Sequence, residues 1–293
     1  MIYYLVSLIP AGKVLTYGQI GRVLKISPRE VGYWLHRNPD PEKVPCHRVV
    51  FADGRLSPAY AFGGIGAQRN KLLAEGVVFS GQKVNLQISL FKLNPVFQSY
   101  LYLRQKFGPP GPWPWYGQRK HTEEEIVIGA MLTQRVSWRN VELVLNELRR
   151  RRLNSLAAFC RFGQKDFVSL QLLLKPSGFY KQKAARLFNL VRWVISQFGS
   201  WRNFKEHPTD FLRQKLLAQK GVGEETADTI LLYALRRPVF VIDEYTKRFV
   251  KKHRLTAATG YAALQGFFTG RLPSSVKLCQ DFHALIVRWG KER

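Results

Sequence analysis

Three short stretches hold residue types that could do chemistry at their spacing. Val44-Pro45-Cys46-His47-Arg48-Val49-Val50 sets a thiol directly beside an imidazole and a guanidinium. Cationic neighbours favour the thiolate, the nucleophilic form of cysteine, so Cys46 is a candidate nucleophile; the competing reading is a buried structural cysteine. Lys220-Gly221-Val222-Gly223-Glu224-Glu225-Thr226-Ala227-Asp228 supplies Gly-x-Gly immediately before a helix. Free N–H groups there can hold a phosphate without side-chain bulk, and a simple turn is the alternative. Eighteen residues past Glu225, Val241-Ile242-Asp243-Glu244-Tyr245 puts a carboxylate after a short apolar run. Partial burial would hold Asp243 in a reactive environment; otherwise it is a helix N-cap.

The elements that must position these residues carry clear start signals. Thr16 with Gln19 and Ser27 with Glu30 form two capping boxes, and Pro28 occupies the favoured first helical position. They predict helices over about 17–24 and 28–37, a helix-turn-helix whose second helix can enter a DNA groove. Val31, Trp34 and Leu35 should face its core, leaving Arg29, Gly32 and Tyr33 on another face. Residues 107–115, Phe-Gly-Pro-Pro-Gly-Pro-Trp-Pro-Trp, interrupt any regular element, and Val84–Phe97 reads as a connector before them. Beyond lies helical patterning: Thr122 caps a run opening Glu123-Glu124-Glu125, and stripes recur at Val141, Val144, Leu145, Leu148 and at Ala227, Ile230, Leu231, Ala234. At most a short extended piece is expected at Pro238–Ile242.

Length and composition bound the class. A chain of 293 residues with 46% hydrophobic content suits two folded domains rather than a disordered or fibrous protein. Forty-six Lys and Arg against 20 Asp and Glu give a formal charge of +26, spread as +7 over residues 1–94 and +19 over the rest. Such a surface attracts polyanions, nucleic acid before acidic membrane. Cys46, Cys160 and Cys279 are too few and too scattered for a disulfide framework or a CxxC metal site, and the six histidines lack ligand spacing. A reducing, cytoplasmic setting is expected, with no membrane span, targeting segment or metal.

The order Ile9-Pro10-Ala11-Gly12-Lys13-Val14-Leu15-Thr16-Tyr17-Gly18, Arg29-Glu30-Val31-Gly32, Asn38-Pro39, Pro45-Cys46-His47-Arg48-Val49 and Gln68-Arg69 through Gly76-Val77 resembles the DNA-binding domain of alkylguanine-DNA alkyltransferases and alkyltransferase-like proteins. The resemblance covers about residues 1–80. It implies that Cys46 accepts an alkyl group from a flipped guanine, with His47, oriented by Glu75, taking the thiol proton through a water. It also implies that Arg29 fills the space the base vacates, that Tyr17 presses on the adjoining phosphate, and that Asn38 braces the turn beneath. The loop between Ser57 and Gly64 departs from the pattern. The ending from Gln68 looks more like the alkyltransferase-like branch, whose members usually lack the cysteine and bind lesions without repairing them.

Gly129-Ala130-Met131-Leu132-Thr133-Gln134, Ser137-Trp138-Arg139-Asn140-Val141, Pro176-Ser177-Gly178-Phe179-Tyr180, the Gly221–Asp228 hairpin, Asp243 and Asp281-Phe282-His283 together resemble the endonuclease III-related 3-methyladenine DNA glycosylases of the helix-hairpin-helix group, over about residues 95–293. By that resemblance Asp243 stabilises the oxocarbenium-like transition state and directs water to it. Trp115 and Trp138 wall the base, with Trp113 and Tyr116 in reserve; Glu225 accepts a hydrogen bond from the base, and Gly221 and Gly223 meet the DNA backbone. Lyase-competent relatives carry lysine where this chain has Glu225, so a monofunctional enzyme is implied. Arg135 stands where the family usually has asparagine. Only Cys279 lies where relatives hold four iron–sulfur cysteines, so no cluster and no other cofactor is expected.

The expected fold is mainly α: a helix-turn-helix, winged-helix-like domain over 1–88 fused to an all-α helix-hairpin-helix glycosylase domain over 95–293. The expected partner is double-stranded DNA carrying alkylated bases, met by a monomer. Two further readings stay open: a first domain that senses alkylated guanine without transfer, and a non-catalytic DNA-binding protein.

Overall fold

The computed structural model describes residues 1–111 and 121–292. The chain divides into two compact units, Met1–Lys106 and Phe107–Arg293.

In the first unit the capping chemistry sets the helix pair. Thr16 Oγ1 accepts the Gln19 N–H at 3.2 Å while Gln19 Oε1 accepts the Thr16 N–H at 2.9 Å, opening helix Tyr17–Leu24. Ser27 opens helix Pro28–His36 as a simple N-cap, accepting the Glu30 N–H. Gly21 permits the tight turn between them, because a Cβ there would stand 2.7 Å from the Ile26 carbonyl oxygen. Val31 and Leu35 are buried as expected, and helix Ile2–Ser7 packs against both helices through Leu5 and Val6. Trp34 departs from expectation and is 44% exposed. The i, i+4 pair already closes the seam, and the indole turns edge-on to Tyr33, which also carries the Arg37 guanidinium 3.8 Å above its ring.

Parallel pairing of Leu15–Thr16 with Val49–Val50 ties the first helix-start to the segment holding Cys46. An antiparallel pair, Phe79–Ser80 with Lys83–Val84, adds a small wing. Val14, Val50, Leu56, Leu72, Val77 and Val84 make one core beneath both. The stretch read as connector and start of the second domain is largely helix Pro95–Phe107, and nearly all of it belongs to the first unit. The reason is burial. Val96, Phe97, Tyr100, Leu101 and Leu103 are inside, with Phe97 edge-on to Phe91 and the Tyr100 hydroxyl bonded to that of Tyr4.

All regular elements among the described residues of the second unit are helices. Thr122 caps helix Glu123–Leu132 as expected and forms with Glu125 a full capping box, and both apolar stripes are buried. Helix Trp138–Arg150 follows, and later helices Thr209–Leu217 and Glu224–Thr229 form the hairpin around Gly221. The latter helix runs on into a π-turn, Ile230–Ala234. Pro238–Ile242 forms no strand. Its backbone is met by side chains instead, with Gln265 Nε2 donating to the Phe240 carbonyl at 3.0 Å and the Ile242 N–H donating to the Tyr261 hydroxyl at 3.4 Å. Phe240 stacks on Phe268 at 4.2 Å, with Phe282 and Phe249 closing the core under the last helices, Glu244–His253 and Val276–Lys291. Among the described residues no helix is long and apolar enough to cross a membrane.

Emptying a fully buried aromatic site costs about 3–5 kcal/mol. Phe97→Ala should therefore lower the unfolding free energy of the first unit by that margin in urea while leaving the transition of the second unit in place; an unchanged first transition would contradict the assignment of this helix.

Candidate functional site

Each unit holds its own cavity. In the first, Tyr17, Arg29, Gly32, Leu35, Cys46, Phe51, Ser57 and Tyr60 are among the residues that enclose about 290 Å³. Cys46 opens a short 3₁₀ turn, Cys46–Arg48, placed by the parallel strand pair that follows it. Asn38 holds the turn from below, donating from Nδ2 to the Val44 carbonyl at 2.8 Å and accepting the Asp40 N–H on Oδ1. Buried Gln68 braces the other side through the His47 and Val49 carbonyls.

Glu75 is no free helix charge. At the C-terminal end of helix Gly64–Ala74 it meets His47 Nε2 at 2.8 Å and takes a two-pronged contact from Arg48 at 2.8 and 2.7 Å. Burial alone would raise the Glu75 carboxyl, but the bonds from Arg48 and His47 prevail and hold it below the usual carboxylate range. Burial, which favours the neutral imidazole, lowers His47 against the pull of Glu75. Its Nδ1 is buried and has no hydrogen-bond partner among the described residues. Tyr17 is raised mainly by burial, and Tyr60 by burial and the neighbouring Cys46, so both phenols keep their protons at neutral pH.

The second cavity is larger, about 1060 Å³, and its walls include Gln134, Arg135, Trp138, Gly221, Gly223, Glu225, Thr226, Tyr233, Asp243 and His283. Asp243 is both an N-cap and a wall residue. Its Oδ1 accepts the Thr246 N–H at 2.7 Å at the start of helix Glu244–His253, while Oδ2 lies 3.4 Å from His283 Nε2. The other imidazole nitrogen, Nδ1, meets the Tyr233 hydroxyl at 2.7 Å. Tyr233 sits in the π-turn, an irregularity that often re-aims side chains at functional positions. Burial works against ionisation of Asp243, yet His283 first and Thr246 next outweigh it and hold its pKa below the ordinary value.

Glu225 behaves oppositely. Its accessible surface opens onto the cavity, where surrounding protein strips away bulk water, and the charge of Asp243 adds repulsion; both raise it. Two neighbouring carboxylates are thus driven apart in proton affinity. Gln134 locks the hairpin, donating from Nε2 to the Gly221 carbonyl and to Thr226 Oγ1, both at 3.0 Å. Gly221 holds φ +92°, and the Arg186 side chain fills the space a Cβ would need. Gly223 precedes the helix as its N-cap.

The sequence-predicted residues Tyr17, Arg29 and Cys46 therefore share one cavity, while His47, Glu75 and Asn38 are bonded around the turn that carries Cys46. Trp138, Gly221, Gly223, Glu225 and Asp243 share the other. Trp113, Trp115 and Tyr116 lie outside the described residues. Sequence reading missed Tyr60, in the loop that departed from the family pattern, and gave no role to Tyr233 or His283. Only the fold brings those two to Asp243.

Residues 1–77 match the model of the 6-O-methylguanine DNA methyltransferase DNA-binding domain, and residues 128–266 that of the HhH-GPD superfamily base excision DNA repair protein. The "Putative DNA repair glycosylase" of Methanocaldococcus jannaschii is 35% identical over 204 residues, which span 69% of this chain and 89% of that protein. The methylated-DNA–protein-cysteine methyltransferase of Thermococcus kodakarensis is 43% identical over 74 residues, 25% of this chain and 41% of the relative, so the chain spans less than half of that protein. Among solved structures, the H. pylori 3-methyladenine DNA glycosylase bound to 1,N6-ethenoadenine aligns with a TM-score of 0.58 at 31% identity, covering 67% of this chain and 97% of its own.

The Glu75 contacts set a pH dependence. Because its folded pKa is depressed, the carboxylate contributes stability that is fully present above its ordinary value of 4.5 and is lost as pH falls through the folded value. Glu75→Gln should be less stable than wild type to urea at pH 7, with the difference closing as the pH drops below 4.5; a gap that stays constant with pH would show that the carboxylate charge contributes nothing.

Proposed function

The chain belongs to the HhH-GPD superfamily of base excision DNA repair proteins and bears at its N-terminal end the DNA-binding domain of the methylguanine methyltransferases. From that premise we propose that it repairs alkylation damage at two sites, excising N-alkylated purines such as 3-methyladenine in the large cavity and taking an alkyl group from guanine onto Cys46 in the small one. Phosphate contacts made by the +26 chain supply the sequence-independent part of DNA binding.

The observation carrying the glycosylase reading is a buried carboxylate kept ionised in a cavity with room for an extruded nucleotide. Alkylation at a ring nitrogen gives the base a positive charge. When the bond from its N9 to the sugar C1′ breaks, the electron pair neutralises the departing base, so no acid is needed to protonate it. Positive charge then develops at C1′, where Asp243 opposes it; water bonds to C1′ and releases its proton toward the same carboxylate. Trp138 stacks on the cationic base, a cation–π attraction of about 0.5–2 kcal/mol. Glu225 accepts from its exocyclic amine. No lysine stands at the Glu225 position to form a Schiff base, which supports a monofunctional reaction.

For the small cavity, Cys46 Sγ attacks the alkyl carbon as the carbon–O6 bond breaks. The pair left on O6 re-forms the guanine carbonyl, and the ring takes up at N1 the proton that the thiol first gave to His47 through Nδ1, with Nε2 held by Glu75. Arg29 and Tyr17, on the walls, hold the gap in the duplex and the adjoining phosphate. Cys46 is only 4% exposed, which favours a second reading in which this cavity senses the lesion without accepting its alkyl group.

Two measurements check these roles. Asp243→Asn should slow release of free base from alkylated duplex by at least about 100-fold, and an undiminished rate would remove the carboxylate from the mechanism. Incubation with duplex containing O6-methylguanine should add one methyl to the intact mass, absent in Cys46→Ser; tight binding with unchanged mass would instead establish sensing.

A further inference from the structure

Behind Trp138 lies a buried ion network that the excision chemistry does not use. Glu125 is 1% exposed and already satisfied as half of a capping box, taking the Thr122 N–H on Oε2 at 2.8 Å. It also takes Asn154 Nδ2 on Oε1 at 3.1 Å and a two-pronged contact from Arg149, Nε to Oε1 at 2.6 Å and Nη2 to Oε2 at 3.0 Å. Burial works against ionisation of Glu125, but His121 first and Arg149 next outweigh it and hold the carboxyl at about 2. Arg149 Nη2 then reaches on to His121 Nδ1 at 2.6 Å. The same Nδ1 stands 3.7 Å from Glu125 Oε2, so the imidazole is held between the guanidinium and the carboxylate.

The His121 ring meets Trp138 edge-to-face, at 87° with centroids 5.8 Å apart. Trp138 and Arg149 lie at opposite ends of one helix, so the imidazole is held by the far end while it presses on the near one. That helix begins at Trp138 without a side-chain cap from Ser137, directly after a loop in which Arg135 adopts φ +54°. Its first residue is thus set by packing rather than by capping. We infer that His121, fixed by Arg149 and Glu125, is a positioning residue that sets the angle of the Trp138 ring in the base cavity. The inference rests on the reading above that Trp138 stacks on the excised base, and it makes the orientation of that wall, more than its mere presence, a determinant of substrate affinity.

The test uses full-length protein carrying 5-fluorotryptophan, with the Trp138 resonance assigned by its loss in Trp138→Phe. In His121→Ala the Trp138 ¹⁹F resonance should move or broaden in the DNA-free protein. The half-saturating concentration of 3-methyladenine duplex should rise about fivefold while the maximal single-turnover rate stays within about twofold. His121→Gln keeps an acceptor for Arg149 and a flat group against the indole, and should recover most of both signals. An unmoved resonance with unchanged half-saturation in a folded His121→Ala protein overturns the inference. Should His121→Ala lose its cooperative melt, His121→Phe, which fills the space without accepting from Arg149, is judged by the same criteria. If wild type releases no base, the functional reading fails, whereas the ¹⁹F signal of the free protein still decides whether His121 sets the ring.

Discussion

The account depends on one buried carboxylate that stays charged. Removing Asp243 from water opposes its ionisation, and a lone carboxyl at that depth would take up a proton. Thr246 gives one oxygen a backbone N–H, and His283, backed by the Tyr233 hydroxyl, faces the other. The cap role and the cavity role therefore belong together: the helix start that Asp243 caps helps keep its charge available to the cavity. Around it the protein spends three separate segments, the π-turn, the start of helix Glu244–His253 and the last helix, to place one side chain.

The same electrostatic logic separates its neighbour. Glu225 shares the cavity and feels the Asp243 charge without an equivalent set of donors, so its proton affinity rises as that of Asp243 falls. In the first unit the arrangement is reversed in sign: a carboxylate held low by Arg48 orients an imidazole that burial keeps neutral, ready to receive a proton rather than to oppose a developing cation. The two chemistries proposed for these cavities would thus draw on opposite uses of a carboxylate, one acting directly and one through histidine.

Much of this was legible in the sequence because it is local. Thr16 with Gln19 and Thr122 with Glu125 announce their helices, the stripes at 141–148 and 227–234 announce their buried faces, and Gly221 sits where a Cβ has no room. What escaped reading was long-range or over-determined. Tyr233 and His283 stand fifty residues apart and meet only once the last helix packs. Helix Pro95–Phe107 was hidden because its apolar residues are matched by aromatic partners elsewhere in the first unit, and nothing near it in the chain marks that destination. Trp34 has core spacing, yet Val31 and Leu35 fill the seam without it. Trp113, Trp115 and Tyr116, expected as walls, lie outside the described residues.

The most direct measurement is a crystal structure of the catalytically silenced protein on a duplex bearing one 3-methyladenine. The account predicts the modified base outside the helix, flat against Trp138, with its C1′ facing the residue at position 243. A base that remains stacked in the duplex, or that occupies another surface with position 243 remote from its sugar, would contradict it.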